Sequence, residues 1–488
     1  MLTRLVARGF KNLDLDVQLG PFVCIVGANG VGKSNVFDAI AFLSALAGTS
    51  LLEAAHAVRG GRGRGGDLRG LFRRRGDGCD NTMTLAAEMI IPPTGEDQLG
   101  QIAEASITYL RYDLELGYDG AQALRPQGGL RVQHESLTHL NLSEAHKLLG
   151  FESKDEFRRS CLKGRRTTPY ISTSPEGQVL LHADAKAGKG GGTPRKLLAR
   201  DLPRTVLSSA ENAAEHRTAT LERREMLRWT QLHLEPSAMR APDDFSAPPF
   251  VAHNGAHLPA TLYRLARAPE VQGGEAALYA RVANRLSELV DPIRSVSVDV
   301  DERRQLLSIL ATDRNGTGHL ASSLSDGTLR FLALSILAEE TWPQPLLCME
   351  EPENGMHPSR IPAMLRLLED LAVDPNFAVD PGDNPLRQVI VNSHAPSVVN
   401  LVDEDALLVS RTEIDATGAE VMRLRPLPGT WRARDARPGE CVSKGEILSY
   451  LNLVPPVEAE DVPRRPLRRR VRDRADLQPS LPFSDAAE

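Results

Sequence analysis

The first ninety residues change their hydrophobic period three times. In MLTRLVARGFKNLDLDVQLG apolar residues recur at alternate positions in two short stretches, which predicts a pair of strands. FVCIV, residues 22–26, is a continuous apolar and β-branched run, as expected of a parallel strand covered on both faces. SNVFDAIAFLSALAG then takes the period of a helix that ends near Gly48. NTMTLAAEMIIPP and ASITYLRYDLELGY alternate again and predict antiparallel strands. Residues 141–245 read as mostly helical: NLSEAHKLLGF has a cap and a helix pattern, and TATLERREMLRWTQL is amphipathic. Further on, SSLSDGTLRFLALSILAEE predicts a helix with Leu329, Leu332, Ile336 and Leu337 on its apolar side. PLLCM and QVIV are two more short buried strands. Strand, helix and strand in this alternation give an α/β fold.

The chemistry enters at the junction of the first buried strand with its helix. GANGVGKSN fits G-x-x-x-x-G-K-[ST] through Gly27, Gly32, Lys33 and Ser34. Glycines let successive N–H groups turn toward phosphate oxygens, and the helix that follows offers its positive end. Gly27, Asn29, Gly30, Gly32, Lys33, Ser34 and Asn35 are the expected nucleotide-binding set, with Ser34 turned to magnesium. On its own the loop implies a nucleoside triphosphate with Mg2+; ATP follows from the family resemblance given below. The run Leu346–Met349 ends in Glu350 and Glu351, so both acids fall at the carboxyl edge of a sheet. Glu350 is suited to the metal and Glu351 to the attacking water. Ser325 and Gly327 open the helix before this strand and make an anion site at its N-terminus. His394 follows the QVIV strand, where an imidazole reaches the γ-phosphate or the water. The expected catalytic pair is Glu351 and His394, and the expected metal ligands are Ser34 and Glu350.

This ordered set resembles the ABC-type ATPase head of the chromosome-maintenance and recombination branch, related to the RecF and OLD families and often described as AAA family ATPases. GANGVGKSN, LSDGTLRFLAL, EEPENGMHP and SHAPSVV carry the resemblance, over about the first 80 residues and 275–410. It implies a P-loop NTPase head with a largely helical insertion. The corresponding parts are an N-terminal head part with a β lobe at 1–118, a mainly helical insertion at 119–274, a C-terminal head part at 275–430, and an extension with a basic tail at 431–488. It also implies a head-to-tail homodimer in which Ser325 and Gly327 of one chain cover the γ-phosphate bound by the other, with residues 354–357 crossing the dimer axis. Two departures stand out. Glu350 replaces the aspartate of many relatives, and the family's glutamine loop is not visible after the first helix, where RGGRGRGGDLRGLFRRRG lies.

Composition narrows the task. At 41% hydrophobic and 25% charged residues the chain is globular, and a net charge of −6 confines any contact with DNA to local patches. Two such patches are residues 59–76, with seven arginines, and RPLRRRVRDR near the end. The five scattered cysteines fit a reducing compartment, and no apolar run is long enough for a membrane helix, so a cytoplasmic protein without a membrane partner is expected. No sustained heptads predict long coiled-coil arms. The expected function is an ATP-hydrolysing switch in DNA repair or anti-phage defence that controls a separate nuclease or Toprim-like effector. An OLD-like nuclease using Asp403, Glu404 and Asp405, or a transporter ATPase, are the alternatives.

Overall fold

In the computed structural model the described residues are 1–451, apart from 59–67, 77, 98, 121–127, 143–147, 185–194, 200–201, 270–272, 290–292, 341–343, 435 and 438. The P-loop strand Phe22–Val26 lies inside a six-stranded sheet. Across that sheet the order is Trp229–Leu232, Leu346–Glu350, Gln388–Ser393, Phe22–Val26, Leu407–Ile414 and Glu420–Arg425. The first five strands are parallel and the last is antiparallel.

The apolar run of FVCIV is explained by burial on both faces. Val23 and Ile25 enter one core with Phe37 and Ile40 of the P-loop helix Lys33–Leu46. Cys24 and Val26 enter another with Leu329 and Leu332 of the helix Asp326–Ala338. Leu346 and Cys348 divide from Leu347 and Met349 in the same way. The sheet therefore separates the P-loop helix from the helix that begins at Ser325, and all loops at its carboxyl edge converge on one place.

The P-loop helix is covered on its outer side by an eight-stranded antiparallel sheet. Leu2–Arg8 pairs with Asp14–Gln18 and with Thr82–Ile90, which pairs in turn with Tyr109–Asp119, as the alternating segments predict. Phe10, beyond the first strand, stacks on Phe42 of the helix with ring centroids 5.6 Å apart.

The expected largely helical insertion is corrected by the structure. Gly129–His139, Ile171–Thr173, Gln178–Leu181 and Arg195–Leu198 extend the antiparallel sheet, so residues 119–274 mix strands with the helices Arg217–Leu227 and Leu258–Arg267. Three of these strands have only three or four residues. Glu135 also takes an inward position where alternation calls for an apolar residue, which hides the pattern. The helix expected at 141–151 falls partly outside the described residues, as do much of the arginine-rich segment and all of the RPLRRRVRDR tail. Among the described residues no helix is long and apolar enough to cross a membrane.

Candidate nucleotide site

The P-loop turns at Gly30 and Gly32, with φ of 82° and 109°, a region that side chains with a Cβ rarely enter. A Cβ on Gly32 would lie 2.7 Å from the Asn12 amide, so the loop also needs glycine for space. That amide fastens the loop to the N-terminal strands. Its Nδ2 donates to Val31 O at 3.0 Å and its Oδ1 accepts from Asn35 Nδ2 at 2.8 Å. Asn29, Gly30 and Ser34 stay exposed at the mouth. Lys33 is buried beneath them, and its Nζ donates to the carbonyls of Gly27 and Ala28, both at 2.8 Å. Burial pushes the lysine pKa down, while Glu351, Glu350 and Glu353 oppose that shift.

The three glutamates come from the end of Leu346–Glu350 and the turn that follows it. Glu350 ends the strand, and its Oε1 accepts from Gln231 Nε2 at 3.2 Å. Glu351 lies in the left-handed region at φ 45°, held by its N–H, which is 3.1 Å from both the carbonyl and side-chain oxygens of Asn392. Its carboxylate is partly exposed. One oxygen is 2.7 Å from His394 Nδ1 and the other accepts from Asn354 Nδ2 at 2.5 Å. The sequence-predicted catalytic pair is thus in direct contact.

Ser325 is the N-cap of Asp326–Ala338, accepting from Thr328 N at 3.3 Å. The serine is exposed, but Gly327 is covered by the chain's own loop: a Cβ there would stand 3.3 Å from Gly355 O and from Met356 Cγ. Arg330, one turn further on, reaches toward Glu351 O at 3.5 Å. Gln231 is the residue that sequence reasoning missed. It sits on Trp229–Leu232, beside the strand of paired acids, and places an amide at the carboxyl edge against Glu350. Its signal, WTQL ahead of HLEPSAMR, lies beyond the insertion.

The donor set suits a hard divalent cation. Ser34 offers an exposed hydroxyl at a helix N-terminus, and the carboxylate of Glu350 is engaged by an amide that leaves acceptor capacity free. A cavity of about 600 Å³ abuts the loop through Asn12 and is lined by Lys11, Phe72, Arg73, Thr417 and Glu420. The acids at 403–405 do other work: Asp403 Oδ1 accepts from Asp405 N at 2.8 Å, and Asp405 Oδ1 accepts from Trp431 N at 3.0 Å. Among the described residues no cluster of histidine, cysteine and acidic side chains is arranged to hold a metal by itself.

The family model "AAA domain, putative AbiEii toxin, Type IV TA system" matches residues 22–85 and 180–400, which include the P-loop, Gln231, Ser325, Gly327, Glu350, Glu351 and His394. No curated protein matches the chain. Among solved structures it is similar to an SmcHead bound to the C-winged helix domain of ScpA, at 14% identity over 87% of this chain and 98% of that one, with a TM-score of 0.45. The SMC head domain from Thermotoga maritima is similar at 13% identity, 87% and 98% coverage and a TM-score of 0.36. A third, the Smc head domain with a coiled coil and joint from Pyrococcus yayanosii, has 13% identity, 92% and 98% coverage and a TM-score of 0.43.

Proposed function

The chain belongs to the AAA-domain family whose model it matches, and from that premise we propose that it is an ATP-hydrolysing switch protein. The observation that carries this reading is the contact between Glu351 and His394 at the carboxyl edge that also bears Lys33. The P-loop N–H groups and Lys33 bind the β- and γ-phosphates, with the lysine exchanging its two loop carbonyls for phosphate oxygens. The base and ribose take the cavity beside Asn12. Ser34 and Glu350 would hold the magnesium ion, which supplies charge neutralisation on the phosphates when bound. Gln231 steadies Glu350 from the neighbouring strand.

Glu351 accepts the proton of the attacking water, and its left-handed backbone and its Asn354 bond aim the carboxylate. His394 holds the other oxygen and stabilises charge toward the γ-phosphate. Ser325 and Gly327 of a second copy complete the site in a two-fold dimer. For Gly327 this requires residues 355–356 to withdraw, so nucleotide binding is coupled to movement of residues 354–357. The switch acts in the cytoplasm on DNA, in repair or anti-phage defence, by controlling a separate nuclease or Toprim-like effector. The experiment is to measure ATP turnover by the purified chain with and without DNA, alongside a nuclease assay. Turnover that DNA changes, without cleavage, supports the switch; no turnover in any condition refutes it.

A further inference from the structure

The end of the strand Gln388–Ser393 and the two residues after it meet the turn 351–353 in three successive contacts. Asn392 holds the N–H of Glu351, His394 holds its carboxylate, and between them Ser393 Oγ donates to Glu353 Oε1. The middle contact is the buried one. Ser393 is fully buried and Glu353 is 6% exposed, whereas Glu351 and His394 are partly open to solvent. The same serine oxygen accepts the N–H of Ala395 at 3.0 Å. One hydroxyl therefore ties the residues on both sides of His394 to a single buried carboxyl.

That carboxyl is only half satisfied. Among the described residues Glu353 Oε2 is buried with no partner, a condition that costs free energy and that an apolar residue would not incur. Lys33 and Arg330 act on it electrostatically from the P-loop helix and the Ser325 helix, and Glu351 and His394 from its own side. The Nε of Arg330 is likewise buried without a partner among the described residues. A carboxyl in this position, bonded to the residue before His394, is placed to set the imidazole rather than to hold the core.

We propose that Glu353 is a positioning residue for hydrolysis: through Ser393 it locks the loop that holds His394 on Glu351. The inference rests on the ATPase reading given above. Glu353 does not touch substrate, so its loss leaves nucleotide binding in place and displaces the histidine.

The test uses the full chain with Glu353→Ala, Ser393→Ala, the double variant and Glu353→Gln. Phosphate release gives kcat, and titration with a fluorescent ATP analogue gives Kd. Each single alanine variant should lower kcat by about 10- to 100-fold, the order of loss for a misplaced catalytic group, with Kd changed less than about threefold. The double variant should be no worse than the poorer single, because both cut the same link. Glu353→Gln keeps an oxygen for Ser393 and should recover most of the rate. Additive losses, a Kd that weakens in step with kcat, or a glutamine variant as poor as alanine would each overturn the assignment. Should Glu353→Ala fail to fold, Ser393→Ala carries the same reading.

A second readout separates this inference from the ATPase reading. In protein with 15N-labelled histidine, the His394 ring signals, assigned with His394→Gln, should move in both alanine variants and return in Glu353→Gln. A wild-type chain that binds ATP without hydrolysing it sinks the ATPase reading alone. Ring signals unchanged in both alanine variants sink the positioning role.

Discussion

Glu222 lies on the helix Arg217–Leu227, fully buried, and neither carboxyl oxygen has a hydrogen-bond partner among the described residues. Burial pushes its pKa well above the ordinary value of 4.5, and the nearby carboxyls of Glu135 and Glu225 push it further. The sign follows from linkage. The folded state keeps this proton at a pH where the unfolded chain has released it, so the group's contribution is complete below about 4.5 and is lost as pH rises toward the folded value. In that window each pH unit costs at most about 1.4 kcal/mol for one proton. Glu135, also buried and pushed up to about 7, adds a slope of its own over the same range.

Glu222→Gln replaces a neutral carboxyl by a neutral amide of the same shape, so stability at pH 5 should change little. Above that the variant should gain on the wild type as pH rises, by at most about 1.4 kcal/mol per pH unit, because only the wild type moves down the slope. Thermal unfolding followed by circular dichroism at pH 5, 6, 7 and 8 reads this as two melting curves that diverge with pH. Parallel curves, or a variant less stable at every pH, would refute the reasoning and mean that Glu222 is charged and paired in the folded protein.

Three further outcomes concern the site. Lys33→Ala should weaken ATP binding by roughly 10- to 100-fold, the worth of a hydrogen bond to a charged group, as read by calorimetry. Ser325→Arg should abolish an ATP-dependent rise in mass by light scattering, since it puts bulk and charge at an exposed helix cap proposed to face a partner's phosphate; an unchanged dimer would place the contact elsewhere. With magnesium or manganese the chain alone should leave DNA uncut, because the carboxylates at 403 and 405 accept backbone N–H groups. Cleavage lost in an Asp403→Ala, Asp405→Ala double variant but kept in Lys33→Ala would reverse that assignment.

What the sequence disclosed and what it hid divide along physical lines. The loop from Gly27 to Asn35 was legible because its strand, turn and helix are contiguous, and each imposes a local pattern. Glu350 and Glu351 were legible because an apolar run that ends abruptly in acids marks a buried strand surfacing at the edge of its sheet. Gln231 was not, since its strand has four residues and its meaning comes from lying parallel to Leu346–Met349 far along the chain. The strands of the insertion were hidden for a related reason. Gly129–His139 pairs with the strand just before it, but its buried Glu135 breaks the alternation and is satisfied by the N–H groups of Val206 and Leu207, which nothing local announces. Glu353 stood in plain view within EEPENGMHP, yet its bond to Ser393 exists only because two strands run side by side.

The central claim is that Glu351, held by His394, is the base that takes the proton from the attacking water. Its most direct test is ATP turnover and ATP affinity of Glu351→Gln measured on one preparation, beside the wild type. An amide keeps the shape and cannot accept the proton, so kcat should fall by about 10²- to 10⁴-fold while the Kd for ATP stays within a few-fold. Hydrolysis by Glu351→Gln at the wild-type rate would contradict the account.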